Sequence, residues 1–255
     1  MDQLLDFTGK VILITGAASG FGKQLALDFS SRGAKLVLGD INIEGVQAVA
    51  DTLDTPCFAM KCDVSKESEC EAMVSTAIKE FGRLDIAINN AGISHTISPL
   101  HTLSDDIIDA QFSINVKGVM YGIKHQVKAM IPQGEGVILN VSSMAGLGGA
   151  PMLGAYSAAK HAVIGLTKTA SVEYAKLGIR TNAICPFFAL TPMVTDSDLM
   201  TADQVASTEM LAKNCPMKRL GETREITDFM LMMCSPANSY MNGQCIAVDG
   251  GVSAI

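Results

Sequence analysis

Charge is scarce in this sequence, and positive charge is scarcer still. Of 255 residues 18% are charged, against roughly 25% in an average globular protein, while 48% are hydrophobic. Such a chain can bury a large core, which excludes disorder and fibre. Nineteen Lys plus Arg against 26 Asp plus Glu leave a net charge of −7, the wrong sign for neutralising phosphodiesters, so no nucleic-acid partner is expected. No apolar run approaches the roughly 18 residues of a transmembrane helix, and the first ten residues carry Asp2 and Asp6 in place of a basic segment followed by an apolar one. The protein is therefore expected to be cytoplasmic, with no membrane partner. Seven cysteines, an odd number, include no Cys-x-x-Cys, which argues against a disulfide framework and a thiolate zinc site. They read as reduced, mostly core thiols. The four histidines lack His-Glu-x-x-His spacing, so no metal is expected.

What is present is an alternation of strand-like apolar runs and helical stripes, the pattern of a parallel sheet covered by helices. Strands are expected at 11–15, 35–40, 57–62, 84–88, 136–142, 179–185 and 244–248, with helices between them, including 66–81, 104–131, 155–177 and 222–234. That makes an α/β fold, a doubly wound, Rossmann-like seven-stranded parallel sheet with helices on both faces. No Pro/Ser linker, low-complexity tract or fixed-period repeat divides residues 1–255, so a single domain is expected. The irregular stretch 186–221 holds three of the eight prolines and reads as a substrate lid, since long loops in compact domains are usually functional.

Thr15-Gly16-Ala17-Ala18-Ser19-Gly20-Phe21-Gly22 lies where the first strand turns into the first helix. Glycines there permit a tight turn and let backbone N–H groups and a helix N-terminus approach a pyrophosphate. A P-loop is excluded, because it would need Gly at 17 and Ser or Thr at 24, where Ala17 and Gln24 stand. Asp40 ends the second strand twenty residues beyond Gly20, where a carboxylate can accept hydrogen bonds from the adenosine ribose hydroxyls and repel a 2′-phosphate. Neither Ser19 nor Ile41 supplies the cation a phosphorylated ribose would want, so NAD is favoured over NADP.

Tyr156 and Lys160 are four apart in a helical stretch and share one face. A tyrosine near its reference pKa of about 10 is a poor base at neutral pH, and a fixed cation beside it favours the phenolate. Ser143 lies thirteen residues before Tyr156, at the carboxyl end of the strand 137–141, the end where ligands bind in open α/β sheets.

With these residues the chain resembles the short-chain dehydrogenase/reductase family over essentially its whole length. The matching motifs are Thr-Gly-x-x-x-Gly-x-Gly at 15–22, Asp63-Val64, Asn89-Asn90-Ala91-Gly92, Asn115, Asn140-Val141-Ser142-Ser143 and Tyr156-x-x-x-Lys160. The resemblance implies that Tyr156 exchanges a proton with a substrate hydroxyl while hydride passes to or from nicotinamide. Lys160 would then bind the nicotinamide ribose and hold down the tyrosine pKa, and Ser143 would hydrogen-bond the substrate oxygen. It further implies that Asn115 anchors the water chain through which the proton leaves. Asp63 and Val64 should contact adenine, Asn89 to Gly92 should shape the adenosine side of the groove, and Pro186 and Thr191 should meet the nicotinamide. Read alone, Asn115 could equally bond its own helix backbone, and Asn89 and Asn90 could also serve as capping residues.

One position departs from the family pattern: Phe187-Phe188 stands where a glycine usually follows the proline. Glycine tolerates backbone angles that phenylalanine resists, so the path of this loop is open, with the rings either lining the site or packing inward. Substrate contacts are expected from Met144, Leu153, Phe187, Phe188 and Met193, together with Ser143 and Tyr156. The segments 93–95, 144–153 and 189–220 that should surround the substrate are mostly apolar and Met-rich. Flexible methionines suit an irregular apolar ligand, and no arginine precedes Arg219 as a carboxylate or phosphate clamp. A hydrophobic, cyclic secondary alcohol of alicyclic or steroid (hydroxysteroid) type, or its ketone, is the expected substrate, unless the methionines pack in a subunit interface. Two alternatives stand beside it: an NADPH-dependent 3-oxoacyl thioester reductase, which Asp40 opposes, and a non-catalytic NAD-binding sensor or structural subunit. The resemblance also implies a homotetramer.

Overall fold

Seven parallel strands, β1 (Val11–Thr15), β2 (Lys35–Asp40), β3 (Cys57–Lys61), β4 (Ile86–Asn89), β5 (Gly136–Val141), β6 (Ile179–Pro186) and β7 (Cys245–Val248), form one sheet in the order β3-β2-β1-β4-β5-β6-β7. In this computed structural model residues 3–255 are described; Met1 and Asp2, the latter read above against a leader, lie outside the described residues. All five residues of β1 are buried, as a strand covered on both faces requires. Their side chains alternate between two cores. Ile12 and Ile14 pack with Leu25 and Phe29 of α1 (Gly20–Ser30), Val46 of α2 (Ile43–Ala50) and Met230 of α9 (Thr223–Cys234). Val11 and Leu13 face Met73 of α3 (Glu67–Phe81), Ile123 of α5 (Gly118–Met130) and Val163 of α6 (Gly154–Tyr174).

The strand order reverses between β1 and β4, because the connection from β3 crosses back to place β4 on the other side of β1, so a ligand crevice is expected outside their carboxyl ends. Two elements differ from the sequence reading. The single helix expected at 104–131 is α4 (Asp105–Gln111), a π-helical turn (Phe112–Lys117) and then α5. Periodicity does not reveal it, because a π turn inserts a residue without removing the apolar stripe. The stretch 186–221 is partly helical, with α7 (Pro192–Thr195) and α8 (Gln204–Ala212). Val194, Ala212 and Leu220 close a small core of their own there, with Phe188, Met200 and Leu211 packed on it.

Candidate active site

The turn from β1 into α1 is built by backbone that only small residues allow. Gly16 and Gly20 have φ of +67° and +52°, and a Cβ on Gly22 would lie 2.1 Å from the Gly16 carbonyl oxygen. Ser19 caps α1 without a side-chain bond, so the first-turn amides remain available to an anion. Asn90 fastens this turn to the end of β4: its side-chain amide donates to the carbonyls of Thr15 and Gly16 at 2.9 and 3.0 Å, while Thr15 Oγ1 accepts from the Asn90 and Ala91 amides. Asp40 is held on the same wall, one carboxylate oxygen accepting from the Ala18 N–H at 2.9 Å and the other from the Asn42 N–H at 3.0 Å.

Asn89 corrects the sequence expectation for the 89–92 segment. Its side chain does not face the groove; it is buried and bonded to Gln126 of α5 and Asn140 of β5, and Asn140 in turn donates to Thr167 of α6. Alternation explains this, since Asn89 shares the face of Ala87, which packs toward α5 and α6.

Ser143, just past β5, and Tyr156, in the first turn of α6, both face one cavity. Burial pushes the Tyr156 phenol above its ordinary pKa, and the Ser143 hydroxyl pulls only partly in the other direction. The depression expected from Lys160 is therefore not what this arrangement shows. Lys160 Nζ lies 5.6 Å from the center of the Tyr156 ring and donates to the Val141 carbonyl at 2.9 Å. Among the described residues no carboxylate pairs with this ammonium, and burial lowers its pKa to about 8. Ser142, named in the motif at 140–143 without a role of its own, donates its hydroxyl to the Lys160 carbonyl at 2.9 Å.

Asn115 sits inside the π turn and is fully buried. It does not bond its own helix backbone. Its amide grips Ile93, donating to the carbonyl at 2.8 Å and accepting from the N–H at 2.9 Å, and also donates to Gln111. Gly92 fits between: a Cβ there would stand 2.8 Å from Asn115 Oδ1 and 3.4 Å from Lys160 Nζ.

These groups open onto one cavity of about 780 Å³. Gly16, Ser19, Gly20, Phe21, Asp40, Ile41, Asp63, Val64, Asn90, Ala91 and Gly92 line one part of it, and Ser143, Met144, Leu153, Tyr156, Lys160, Pro186, Phe187, Phe188, Thr191 and Met193 line the rest. Gly22 and Asn115 stand behind the wall as supports. Asp63 presents itself already occupied, its carboxylate accepting from the Ser65 N–H and hydroxyl. Among the described residues only Met152 and Lys218 are non-glycines with positive φ, so Phe187 replaces the family glycine without strain. Its N–H continues the ladder to Val248, and its ring stacks edge-on against Phe188 at 4.8 Å. Leu199, Met210 and Leu211 of the apolar segments also reach the cavity, whereas Leu147, Met152, Leu190 and Met217 point outward. Asn214 and Val252 line it too, and nothing in the sequence marks them, because spacing along the chain does not show which lid and tail residues fold back over the sheet.

Residues 16–253 match the family model described as enoyl-(acyl carrier protein) reductase. Levodione reductase of Leifsonia aquatica is 38% identical, over 97% of this chain and 96% of its own, and the crystal structure of levodione reductase superposes with a TM-score of 0.93 at 37% identity, over 97% and 99% of the two chains. Cyclohexanol dehydrogenase of an Acinetobacter species is 36% identical over 97% and 96%. A 3-ketoacyl-(acyl-carrier-protein) reductase from Brucella melitensis, crystallised with NADH, has a TM-score of 0.90 at 33% identity over 97% and 100%. The chain belongs to the short-chain dehydrogenase/reductase family. It is an oxidoreductase of the nicotinamide-dependent kind.

Proposed function

We propose that this protein interconverts a hydrophobic, cyclic secondary alcohol and its ketone with NAD(H). The observation that carries the reading is the convergence of Tyr156, Ser143 and Lys160 on one apolar-walled cavity that also holds the glycine turn and Asp40. The turn and the unpaired amides of α1 suit a pyrophosphate, and Asp40, held by two backbone amides, suits unmodified ribose hydroxyls. Lys160 is the sole Lys or Arg on the cavity wall among the described residues, so nothing cationic there would receive a 2′-phosphate. Ile41, Asp63 and Val64 would flank the adenine, and Pro186 and Thr191 the nicotinamide. When bound, the nicotinamide supplies the two-electron chemistry, accepting or returning a hydride.

In oxidation Tyr156 removes the proton from the substrate hydroxyl; in reduction its protonated phenol returns it. Ser143 donates to the same substrate oxygen, where charge changes during reaction. Lys160 holds the ribose and keeps positive charge beside the phenol. Asn115 acts as a positioning residue through Ile93 and Gly92. Since its side chain is occupied, a water passing the proton on would be held by a main-chain carbonyl of the π turn. Met144, Leu153, Phe187, Phe188 and Met193 enclose the ring under a lid spanning about 186–221. The relatives named for levodione and cyclohexanol support a cyclic substrate.

One neighbour supports a second reading, a 3-oxoacyl thioester reductase, because a protein of that title was crystallised with NADH. Beyond Lys160 the cavity wall offers no Lys or Arg, among the described residues, for a phosphorylated carrier, which favours the cyclic alcohol. We include a homotetramer in the proposal, supported by exposed Phe112, Met120 and Val172 along 112–174. A reducing, cytoplasmic setting is supported by seven free thiols, and no helix among the described residues is long and apolar enough to cross a membrane.

Tyr156→Phe tests the assignment. Turnover is expected to fall by about 10²–10⁴ while NADH binding, followed by fluorescence, is retained. Full activity in this variant would contradict the mechanism, and a wild type that binds NADH without turning over any alcohol or ketone would point to the non-catalytic sensor.

A further inference from the structure

The turn that carries Ser143 is fastened to α6 at two places, and one of them has no part in the chemistry described above. At the first, Ser142 donates its hydroxyl to the Lys160 carbonyl at 2.9 Å, and Lys160 Nζ donates to the Val141 carbonyl at 2.9 Å. The fit there is close, since a Cβ on Gly146 would stand 2.5 Å from Ser142 Oγ and 2.7 Å from the Lys160 carbonyl oxygen. At the second, Ser157 donates its hydroxyl to the Ala145 carbonyl at 2.7 Å. Ser157 follows Tyr156 directly and stands three residues before Lys160, so both fastenings fall on one side of the helix.

Ala145 passes this hold on to Ser143. Its N–H donates to Ser143 Oγ at 3.1 Å, and the Gly146 N–H donates to the Ser143 carbonyl at 2.8 Å. A serine hydroxyl has one proton and two lone pairs. With one lone pair taken by the Ala145 N–H, the oxygen is fixed in place, and its proton and remaining lone pair are left for the cavity that Ser143 lines. Ala145 lines that cavity and Ser157 does not, so the Ser157 hydroxyl bears on the reaction only through Ala145. Its hold matters because charge changes on the substrate oxygen, and a donor displaced from that oxygen stabilises the charge less.

We propose that Ser157 is a positioning residue for the reaction: by holding Ala145 it sets where Ser143 Oγ stands, and so how well Ser143 donates to the substrate oxygen. The inference rests on the roles given above to Ser143 and Tyr156 and adds a group that acts behind them. Loss of the Ser157 hydroxyl leaves the glycine turn, Asp40 and the apolar wall as they are, so its effect belongs on kcat and not on the binding of cofactor or ring.

The test is a double-mutant cycle on the oxidation of cyclohexanol with NAD. Ser157→Ala is expected to lower kcat about tenfold while KM and NADH affinity stay within about twofold, the pattern of an interaction that matters in the transition state. In a Ser143→Ala background the same substitution should cost less than about twofold, because a residue acting through Ser143 then has nothing left to position. Equal losses in the two backgrounds overturn the proposal, since Ser157 would then only support the helix, and so does an unchanged kcat in Ser157→Ala. Where Ser143→Ala leaves no measurable rate, Ser157→Thr decides, because threonine keeps a hydroxyl on the same carbon. Recovery to within about threefold of wild type upholds the role, and a rate no better than that of Ser157→Ala overturns it. Thermal denaturation identifies a misfolded Ser157→Ala, which Ser157→Cys, of similar size but a weak donor, replaces in the cycle. A wild type that turns over no cyclic alcohol or ketone overturns the reading on which this rests, and the inference with it.

Discussion

Tyr156 and Lys160 carry opposite consequences of the same burial. Removing water disfavours whichever form is charged, so the phenol rises above its ordinary pKa and the ammonium falls to about 8. At neutral pH Tyr156 is therefore protonated and ready to donate, and the phenolate needed for oxidation grows with pH. Alcohol oxidation should gain up to about tenfold in kcat/KM per pH unit on the acid side of this titration, while ketone reduction stays level through the neutral range. Initial rates in both directions across about pH 6 to 9 measure it; an oxidation rate that does not rise would contradict the role of Tyr156 as base. The identities of these two residues were legible from their spacing of four. Their electrostatics were not, because the expected partnership with a cation takes no account of how far the fold withdraws the half-buried phenol and the buried ammonium from water.

The strands and most helices of this protein declare themselves in sequence, because buried parallel strands are short apolar runs and each covering helix keeps a stripe at 3.6-residue spacing. The π turn at 112–117 and the helices within 186–221 lie beyond such patterns. So does the inward turn of Asn89, which depends on strand parity at the very end of β4. The glycine turn is the element where local sequence and function coincide most closely. Gly22→Ala would place a Cβ 2.1 Å from the Gly16 carbonyl oxygen, a contact that backbone must move to relieve. The expected result is a loss of about 1–3 kcal/mol of stability, read by thermal denaturation, together with at least about tenfold weaker NADH binding as the pyrophosphate cradle opens. Wild-type affinity in a stable Gly22→Ala protein would show that this turn does not hold the cofactor.

At the scale of the whole molecule, one sheet serves two purposes. Its two faces are sealed by separate sets of helices, and its carboxyl edge collects residues from β1, β2, β4, β5, β6 and α6 into a single cavity. That convergence is what makes distant motifs in the sequence one site, and the family resemblance of those motifs already implies it. The identity of the groups closing the substrate end, Asn214 and Val252 among them, emerges only from the folded lid and tail.

NAD-dependent turnover of a cyclic secondary alcohol is followed directly by absorbance at about 340 nm, the wavelength of reduced nicotinamide. Purified protein would be assayed with cyclic and acyclic secondary alcohols and 3-oxoacyl thioesters, with NAD(H) and NADP(H) in parallel. Oxidation of ring alcohols with NAD, and little or none with NADP, is the expected result. A strong preference for NADP would contradict the role given to Asp40, and reduction of 3-oxoacyl thioesters in preference to any ring ketone would contradict the substrate.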